Sequence, residues 1–514
     1  MSQNPGITKA TEAAQAVGGL LVAPDFGPDR PEGFTDFNDF QAHAGAEAVR
    51  AAIQAARAPA EDDAPPAVET VTDEGRPRPQ ASVLVDIGKT HRLFNDDGEA
   101  YASVEGGAYT IQSNEYREIL GREYYRLTGR GANRNALADA VTTLSAIAKY
   151  DGPSERVYLR VGETIGGIVL DAGTQDRGCI EITAGGWRIL DVPPVHFRRT
   201  GKPLPFPKPM AADFSRLWQF LNIVPEHRVL VAGWLLAALR PAGPYPILLL
   251  VAEQGSGKSA AARILKALSD PSRSPLRAAP RDDRDLLVAA ANSRVLALDN
   301  LSGLDYQTSD ALCRLSTGGA LSGRKLYTDS DETLIEVQRP AILNGIDDIA
   351  SRPDLAERCL HVTMPPISTR RPEAELARDF ERAAPAIFAA LLDSLSMAIK
   401  RSANLDIGPL PRMADFAKWA AAGMPALGFS EAQFMEAYSQ NQAQAVETGL
   451  ESSAVGEAIR TLMENRCGPW EGSAAELLKE LSALARDETT SRAWPRSPRS
   501  ATSTAPAAPI TTRK

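Results

Sequence analysis

The amino-acid sequence predicts an α/β fold in which a parallel sheet is flanked by helices. Two apolar runs of strand length, at residues 246–251 and 295–298, each end in polar residues, and a helical pattern at 260–268 follows the first run. Further strand and helix patterns alternate after them. This alternation is typical of a parallel sheet that is covered by helices. We therefore expect this sheet to form the core of the chain.

The first apolar run leads into Ala-Glu-Gln-Gly-Ser-Gly-Lys-Ser at residues 252–259. This sequence departs from the phosphate-loop pattern G-x-x-x-x-G-K-[ST] at the first position, where the chain has Ala252. The glycines allow a tight turn whose N–H groups face phosphate oxygens, and the following helix adds its positive dipole end. Lys258 would reach the β and γ phosphates, and Ser259 would place its hydroxyl on Mg²⁺. We predict a nucleotide triphosphate site at Gly255, Ser256, Gly257, Lys258 and Ser259. The alternative is a glycine-rich turn with an incidental lysine.

A second element of this site is the apolar run that ends in Asp299. An acid at the carboxyl edge of a central strand, beside the loop, can hold Mg²⁺ through water. The next residue is Asn300, where many ring ATPases have a glutamate that activates water. An amide can orient water but cannot accept its proton near neutral pH. Either Asp305 supplies the base, or hydrolysis is slow.

Another apolar run, at 340–343, ends in Asn344. This asparagine is suited to position the attacking water between the γ phosphate and Asp299. The alternative is a strand-end asparagine that starts a turn.

Arg358 ends a short helix just before the apolar strand at 359–364. It would project from the subunit surface toward the nucleotide of a neighbouring subunit and stabilise transition-state charge. Arg352 is the less favoured candidate for the same task. Either arginine could instead be a helix-end cation that pairs with Asp354 or Glu357.

Residues 323–327 and 333–338 flank a polar turn and predict a β-hairpin. The loop, the acidic strand end, this hairpin and the asparagine strand together resemble the AAA+ core of superfamily 3 helicases and of phage and viral primase-helicases. In that family the hairpin lines the central channel of a ring and grips single-stranded DNA, and Arg324 and Lys325 are the matching basic residues. The turn here is acidic, and a hairpin that covers a sheet edge is the alternative. The resemblance implies ATP and Mg²⁺ as cofactors and a homo-oligomeric ring that acts on single-stranded or double-stranded DNA.

Both ends of the chain resemble parts of larger domains. Residues 24–40 resemble the closing portion of the TOPRIM domain of phage and plasmid primases, although Asp36 and Asp39 could simply be turn and cap residues. The metal-binding acids of that family would precede residue 1, so we expect no primase chemistry. Helices at 455–464 and 474–484 resemble the start of a winged-helix domain whose recognition helix does not follow. We expect a chain that is shortened at both ends relative to the family.

The chain divides by composition and pattern into successive segments. We expect a TOPRIM-like tail (1–57), a linker (58–80), an α+β accessory domain (81–200), a linker with a helical lead-in (201–240), an AAA+ ATPase core (241–370), an all-helical lid (371–445), a partial winged-helix-like region (446–499) and a disordered tail (500–514). The first element of the accessory domain is predicted as a strand at 82–86. The lid is predicted to contain helices at 373–383, 386–400 and 412–422, and Arg412 is a candidate second phosphate sensor or a cap-region residue.

Composition limits the class of function. The formal net charge of -9 argues against a protein that coats nucleic acid non-specifically. The longest apolar runs are shorter than the ~20 residues that span a bilayer. The N-terminus has no signal-peptide pattern, so we expect no membrane contact and a cytoplasmic location. The scattered cysteines predict reduced core residues, without a disulfide framework or a zinc site.

Two functional hypotheses remain. The first is an ATP-binding and ATP-hydrolysing ring protein of phage or mobile-element DNA replication, a helicase-like motor without primase activity. The second is a nucleotide-switched DNA-binding scaffold that recruits replication proteins and has little or no motor activity. The amide at Asn300 and the acidic turn of the hairpin favour the second.

Overall fold

The computed structural model describes residues 37–54, 77–173, 178–198, 202–205, 211–324, 332–345, 349–350, 352–367, 370–451, 454–466, 468–484 and 510–512. The chain divides into two compact units, residues 1–156 and 157–514. This boundary falls inside the segment 81–200 that was expected to be one domain. The strands after residue 157 share a hydrophobic core with residues 204–239, which explains why they belong to the second unit.

The first unit contains a three-stranded antiparallel sheet and helices. The elements are α1 (Phe37–Gln54), α2 (Gln80–Lys89), β1 (Arg92–Asp96), β2 (Glu99–Val104), β3 (Gly107–Thr110), α3 (Asn114–Thr128) and α4 (Arg134–Tyr150). The strand prediction at 82–86 is wrong, because these residues lie in α2. Val83, Leu84 and Ile87 are buried, and this spacing is that of one helix face. Asp39 lies in α1, and Asp36 is outside the described residues.

The second unit begins with a small antiparallel meander. A short parallel pair, β4 (Val157–Tyr158) with β9 (His196–Phe197), accompanies a sheet in the order β5 (Val161–Thr164), β6 (Gly167–Asp171), β7 (Cys179–Thr183) and β8 (Gly186–Leu190). Ile168, Leu170, Ile180 and Ile182 alternate along β6 and β7 and are buried. Their common face joins the large core of the second unit.

A four-stranded sheet forms the centre of the second unit, in the order β11 (Leu296–Leu301), β14 (Ala341–Gly345), β10 (Ile247–Val251) and β15 (Cys359–Thr363). All of its pairings are parallel. The helices nearest to it in the chain are α5 (Arg228–Ala238), α6 (Lys258–Ser269), α7 (Asp283–Ala291), α8 (Tyr306–Thr317) and α9 (Pro353–Ala356). The predicted mixed α/β class with a parallel sheet and helices is confirmed.

Helix α5 supports the sheet from within the core. Residues 229–238 of this helix are all buried. A helix that is apolar on every side is stable only inside a protein. Trp234 Nε1 donates a hydrogen bond to Pro246 O at 3.1 Å, immediately before β10, and Trp419 Nε1 donates to Leu236 O at 3.0 Å. These bonds fix α5 to the start of β10 and to a helix further along the chain.

The segment after the sheet is helical, as predicted. It contains α10 (Glu373–Arg401), α11 (Ala414–Gly423) and α12 (Glu431–Glu451). The predicted break at 384–385 is wrong: α10 continues through Pro385. The carbonyl that Pro385 leaves without an intrahelical partner belongs to the exposed Glu381, where water can satisfy it. Helix α10 is long and apolar enough to cross a bilayer, but 78% of its most apolar window is buried, as in a core helix.

Three shorter features complete the described part of the chain. An antiparallel hairpin joins β12 (Ala320–Arg324) to β13 (Glu332–Glu336), near the predicted position. Helices α13 (Ala454–Glu464) and α14 (Ala474–Leu484) flank β16 (Trp470–Gly472), which pairs with β17 (Ile510–Thr512). The strand β17 corrects the expectation that 500–514 has no regular structure. Cys179, Cys313 and Cys359 are buried, as predicted for core residues, and Cys467 is outside the described residues.

Candidate functional site

The glycine loop, defined as residues 252–257, connects β10 to α6. Gly255 and Gly257 both have φ of 84°, a conformation that residues with a Cβ rarely adopt. Gly257 is also the N-cap of α6. Ala252 does not require a positive φ and is 8% exposed, so alanine fits at the one position that departs from the phosphate-loop pattern.

Two side chains of this region bond to the backbone of the loop. Lys258 Nζ donates to the carbonyl oxygens of Ala252 and Glu253, at 2.5 and 2.9 Å. Ser256 Oγ donates to Glu253 O at 2.9 Å. These bonds hold the loop in a tight turn at the start of α6. A helix N-terminus with a lysine beside it is an arrangement that favours an anion.

Ser259 and Asp299 meet where α6 begins and β11 approaches its end. Ser259 Oγ donates a hydrogen bond to Asp299 Oδ1 at 2.8 Å. The hydroxyl and carboxylate come from residues 40 positions apart in the chain. Both are hard oxygen donors of the type that Mg²⁺ prefers, and two protein ligands leave room for oxygens from water and substrate. The predicted pair is therefore placed together and is chemically suited to this ion.

Among the residues that the structure describes, no group of three or more His, Cys, Asp or Glu side chains could hold a metal ion.

Asn300 adopts the left-handed backbone conformation, with φ of 57°. The register between β11 and β14 shifts between Leu298 and Leu301, so Asp299 and Asn300 lie in an irregularity at the strand end. Asparagine tolerates this conformation better than most residues, because its short polar side chain can hydrogen-bond locally. The backbone thus gives a structural reason for an asparagine at a position where glutamate would be strained.

Asn344 lies beside Asn300 on the neighbouring strand β14. Its Oδ1 accepts a hydrogen bond from Asn300 N at 2.9 Å. Asn344 is 1% exposed, and its Nδ2 group is buried without a hydrogen-bond partner in the described structure. A buried donor without a partner is rare and costly, and it is often explained by a ligand or water. The side-chain oxygen of Asn344 therefore holds the end of β11, while its Nδ2 group remains available as a donor.

Arg358 is partly buried and pairs with an acid of its own subunit. Its side chain is 13% exposed and forms an ion pair and a backbone hydrogen bond with Asp354. The hydrogen bond from Arg358 lowers the pKa of the Asp354 carboxyl below its usual value. Arg352 forms an ion pair with Asp310 at 2.6 Å and its guanidinium lies 3.8 Å from the centre of the Tyr306 ring. Pairing with Asp354 or Glu357 was the alternative for both arginines; Arg358 does pair with Asp354, whereas Arg352 pairs with Asp310.

Arg412 precedes α11 and faces acidic residues of the α9 region. It pairs with Asp354 at 3.2 Å and also with Glu357. These contacts do not bring Arg412 to the glycine loop. The placement favours its interpretation as a cap-region residue over that of a phosphate sensor.

One of the two predicted DNA-binding residues, Arg324, lies on the hairpin. Arg324 is the last residue of β12, where it pairs in register with Glu332. Lys325 lies outside the described residues, as does the acidic turn that follows it.

A buried charge network fixes the far end of α6 to the start of β11. Asp270 Oδ2 accepts hydrogen bonds from Lys266 Nζ and from the backbone N–H groups of Arg294 and Val295, at 2.9 to 3.0 Å. Burial alone would raise the pKa of the Asp270 carboxyl, but the charges of Lys266 and Arg160 hold that pKa below its usual value. The network orients the helix that carries Ser259 relative to the strand that carries Asp299.

Sequence reasoning missed Arg370. A Cβ placed on Gly255 would lie 3.2 Å from Nη2 of this arginine, so the guanidinium is next to the glycine loop. No motif marks Arg370, which follows β15 in an irregular segment. Only its spatial neighbourhood identifies it.

The fold and site define a mixed α/β protein in which a glycine loop, a serine and a strand-end aspartate converge. Residues 213–441 match the family described as "Actinomycete integrative conjugative element replication protein", and residues 455–504 match the family described as "AICE RepA C-terminal domain". The two matches together span more than half of the chain. Over these residues the chain is similar to this family of replication proteins.

Two solved structures show a weak likeness. An apo structure of the NrS-1 C-terminal region has a TM-score of 0.36 and 13% identity, covering 61% of this chain and 68% of that chain. A JCV helicase with a bound small molecule has a TM-score of 0.23 and 12% identity, covering 44% and 67%. These TM-scores are too low to bear on the chemistry of this chain. A comparison with curated proteins gave no match.

Proposed function

We propose that this chain binds ATP with Mg²⁺ at the glycine loop and hydrolyses it as a helicase-like ring motor of mobile-element DNA replication, without primase activity. The observation that carries the proposal is the contact between Ser259 and Asp299 next to the loop. In a nucleotide site these groups would hold Mg²⁺ and Lys258 would bind the β and γ phosphates. The metal would neutralise charge that develops on the phosphates.

Asn344 and Asn300 would complete the hydrolytic part of the site. The Nδ2 donor of Asn344 is buried near the end of β11, so it is suited to position the attacking water. Asn300 could orient the same water but could not take its proton. Asp305 is unsuited to replace a base because its carboxylate already caps α8 by accepting from Thr308 N at 2.7 Å. We therefore expect slow hydrolysis.

The partners are part of the proposal. A homo-oligomeric ring would let Arg358 contact the nucleotide of a neighbour, after release from Asp354. Single-stranded or double-stranded DNA would contact the hairpin through Arg324 and Lys325. Alanine at these two positions would weaken DNA binding and reduce its dependence on salt, because phosphate contacts release counterions. We place this activity in the cytoplasm.

The second candidate function is a nucleotide-switched, DNA-binding scaffold that recruits replication proteins. One observation favours it: Asn300 has φ of 57°, so the backbone itself disfavours a longer catalytic acid at this position. Such a protein would bind ATP tightly and turn it over slowly. DNA would not accelerate turnover.

Steady-state ATP hydrolysis with and without single-stranded DNA separates the two functions. The motor requires DNA-stimulated turnover that Lys258→Ala abolishes. Lys89→Ala is a matched control, since Lys89 is an exposed lysine on α2 in the other compact unit. ATP binding with no stimulation by DNA would support the switch. Absence of ATP binding would contradict both.

A further inference from the structure

Arg370 places a positive charge directly at the glycine loop. Its Nη2 atom is 3.2 Å from the position that a Cβ on Gly255 would occupy. The absence of a side chain at Gly255 therefore leaves the space that the guanidinium approaches. The guanidinium is therefore close to the backbone of the loop at Gly255.

Residues 364–367, which follow β15, are held by several contacts. Met364 N donates to Val251 O at 3.0 Å, and Asn222 Nδ2 donates to Pro365 O at 2.5 Å. Ile367 Cδ1 lies 3.0 Å from the position of a Cβ on Gly257. Ile367 and Arg370 therefore lie beside the two glycines of the loop, Ile367 beside Gly257 and Arg370 beside Gly255.

The charge of Arg370 is not compensated by an acid. It is an exposed residue, and no ion pair joins it to any residue in the described part of the chain. The next residue provides a contrast: Arg371 pairs with Glu375 at 3.0 Å and also with Asp379. Arg371 therefore faces an acidic helix surface, whereas Arg370 faces the glycine loop.

A phosphate chain is the ligand that this arrangement fits. Arginine presents a planar fork of donors that matches phosphate oxygens, and it keeps its charge at any physiological pH. A second cation close to Lys258 is unfavourable in an empty loop and favourable once a polyanion binds. The charge of Arg370 would not increase the affinity for uncharged or cationic ligands.

We infer that Arg370 binds the β or γ phosphate of the nucleotide in its own subunit, as a site residue additional to Lys258 and Ser259. This inference rests on the proposed function, because it assumes a nucleotide in the glycine loop. It differs from the task proposed for Arg358, which acts on a neighbouring subunit. Arg370 needs no assembly, so its effect is present in a single subunit.

The test compares two adjacent arginines in equilibrium binding of MgATP. Arg370→Ala is expected to weaken binding roughly tenfold to a hundredfold, the effect of losing a hydrogen bond to a charged group. Arg371→Ala is expected to bind like the wild type. Arg370→Lys should recover part of the affinity, because lysine keeps the charge without the fork. The melting temperature without nucleotide should be equal in wild type and Arg370→Ala.

The outcomes separate this inference from the proposed function. If Lys258→Ala loses ATP binding while Arg370→Ala binds like the wild type, the inference fails and the proposed function stands. Equal weakening by Arg370→Ala and Arg371→Ala would also overturn it, since that indicates a general effect of surface charge. If the wild type binds no ATP, the proposed function fails and the inference fails with it.

Discussion

Ser259 Oγ donates a hydrogen bond to Asp299 Oδ1 at 2.8 Å, joining the first turn of α6 to the end of β11. This bond keeps two oxygen donors together. A divalent cation that enters the site would take both oxygens as ligands, directly or through water. The bond therefore preorganises the metal site that we propose.

Metal dependence follows from this pair. The wild type should bind ATP more tightly with Mg²⁺ than with a chelator. Ser259→Ala and Asp299→Ala should each bring the ratio of these two affinities closer to one, because each removes a proposed Mg²⁺ ligand. Titration of a fluorescent ATP analogue under both conditions measures the ratio. Ser473→Ala is the matched control: this serine also donates to a carboxylate, Glu476 Oε2 at 2.8 Å, but is not a proposed Mg²⁺ ligand, so its loss should leave the ratio unchanged. A normal ratio in Ser259→Ala would exclude it as a ligand.

The amide at residue 300 is predicted to limit hydrolysis. Asn300→Asp keeps a residue that tolerates φ of 57° and adds a group that can accept a proton. The rate of ATP hydrolysis should rise about tenfold or more, within the range of general-base effects. Asn300→Gly accommodates the same backbone without adding a base and should give no increase. An unchanged rate in Asn300→Asp would show that the missing base is not limiting.

Arg358 is predicted to act on a neighbouring subunit once it is released from Asp354. Arg358→Ala should lower turnover by about 10³, the scale of an arginine that stabilises transferring phosphoryl groups. Mixing Arg358→Ala with Lys258→Ala subunits should restore part of the rate, because each variant retains what the other lacks. If the mixture regains no activity, and Asp354→Asn loses as much stability as Arg358→Ala, then Arg358 has a structural role.

The buried network around Asp270 is predicted to stabilise the second unit. Asp270→Ala leaves Lys266 without its buried acid and removes one buried partner of Arg160; breaking a buried ion pair typically costs about 3–5 kcal/mol. Denaturant unfolding measures the change. Asp379→Ala is the control, because its ion pairs with Arg371 and Arg382 are exposed and contribute little.

The same network gives a pH dependence with a defined sign. The folded-state pKa of Asp270 lies below its usual value, so its contribution is fully present above the ordinary aspartate pKa of about 3.9. It is lost as the pH falls through the lower folded-state pKa. Wild-type stability should therefore decrease more steeply in acid than that of Asp270→Ala. If the stability of the two proteins falls equally with decreasing pH, this prediction is contradicted.

The sequence predicted the elements that carry strong local signals. The apolar run before the loop, the glycines and the lysine define β10, the turn and α6, because few other structures accept that order of residues. The acid at the end of a second apolar run placed Asp299 at the same sheet edge. Short apolar runs were less informative: residues 82–86 read as a strand but belong to α2, since periodicity cannot separate a short strand from a buried helix.

Contacts between distant segments could not be predicted from local pattern. Arg370 has no motif, and its place beside Gly255 depends on how the chain leaves β15. Arg358 was expected near a neighbour's nucleotide, and Arg412 was a candidate phosphate sensor or a cap-region residue; both pair with Asp354. Residue type alone does not reveal which acid or ligand an arginine will meet, because its long side chain reaches several alternatives.

The central claim is that a nucleotide and Mg²⁺ bind where Lys258, Ser259 and Asp299 converge. Isothermal titration of the wild type, Lys258→Ala and the control Lys89→Ala with MgATP tests it most directly. We predict saturable binding to the wild type and to Lys89→Ala, with binding to Lys258→Ala weakened at least about tenfold, as expected for loss of a charged hydrogen bond to phosphate. Absence of binding to the wild type, or equal affinity in all three proteins, would contradict the claim.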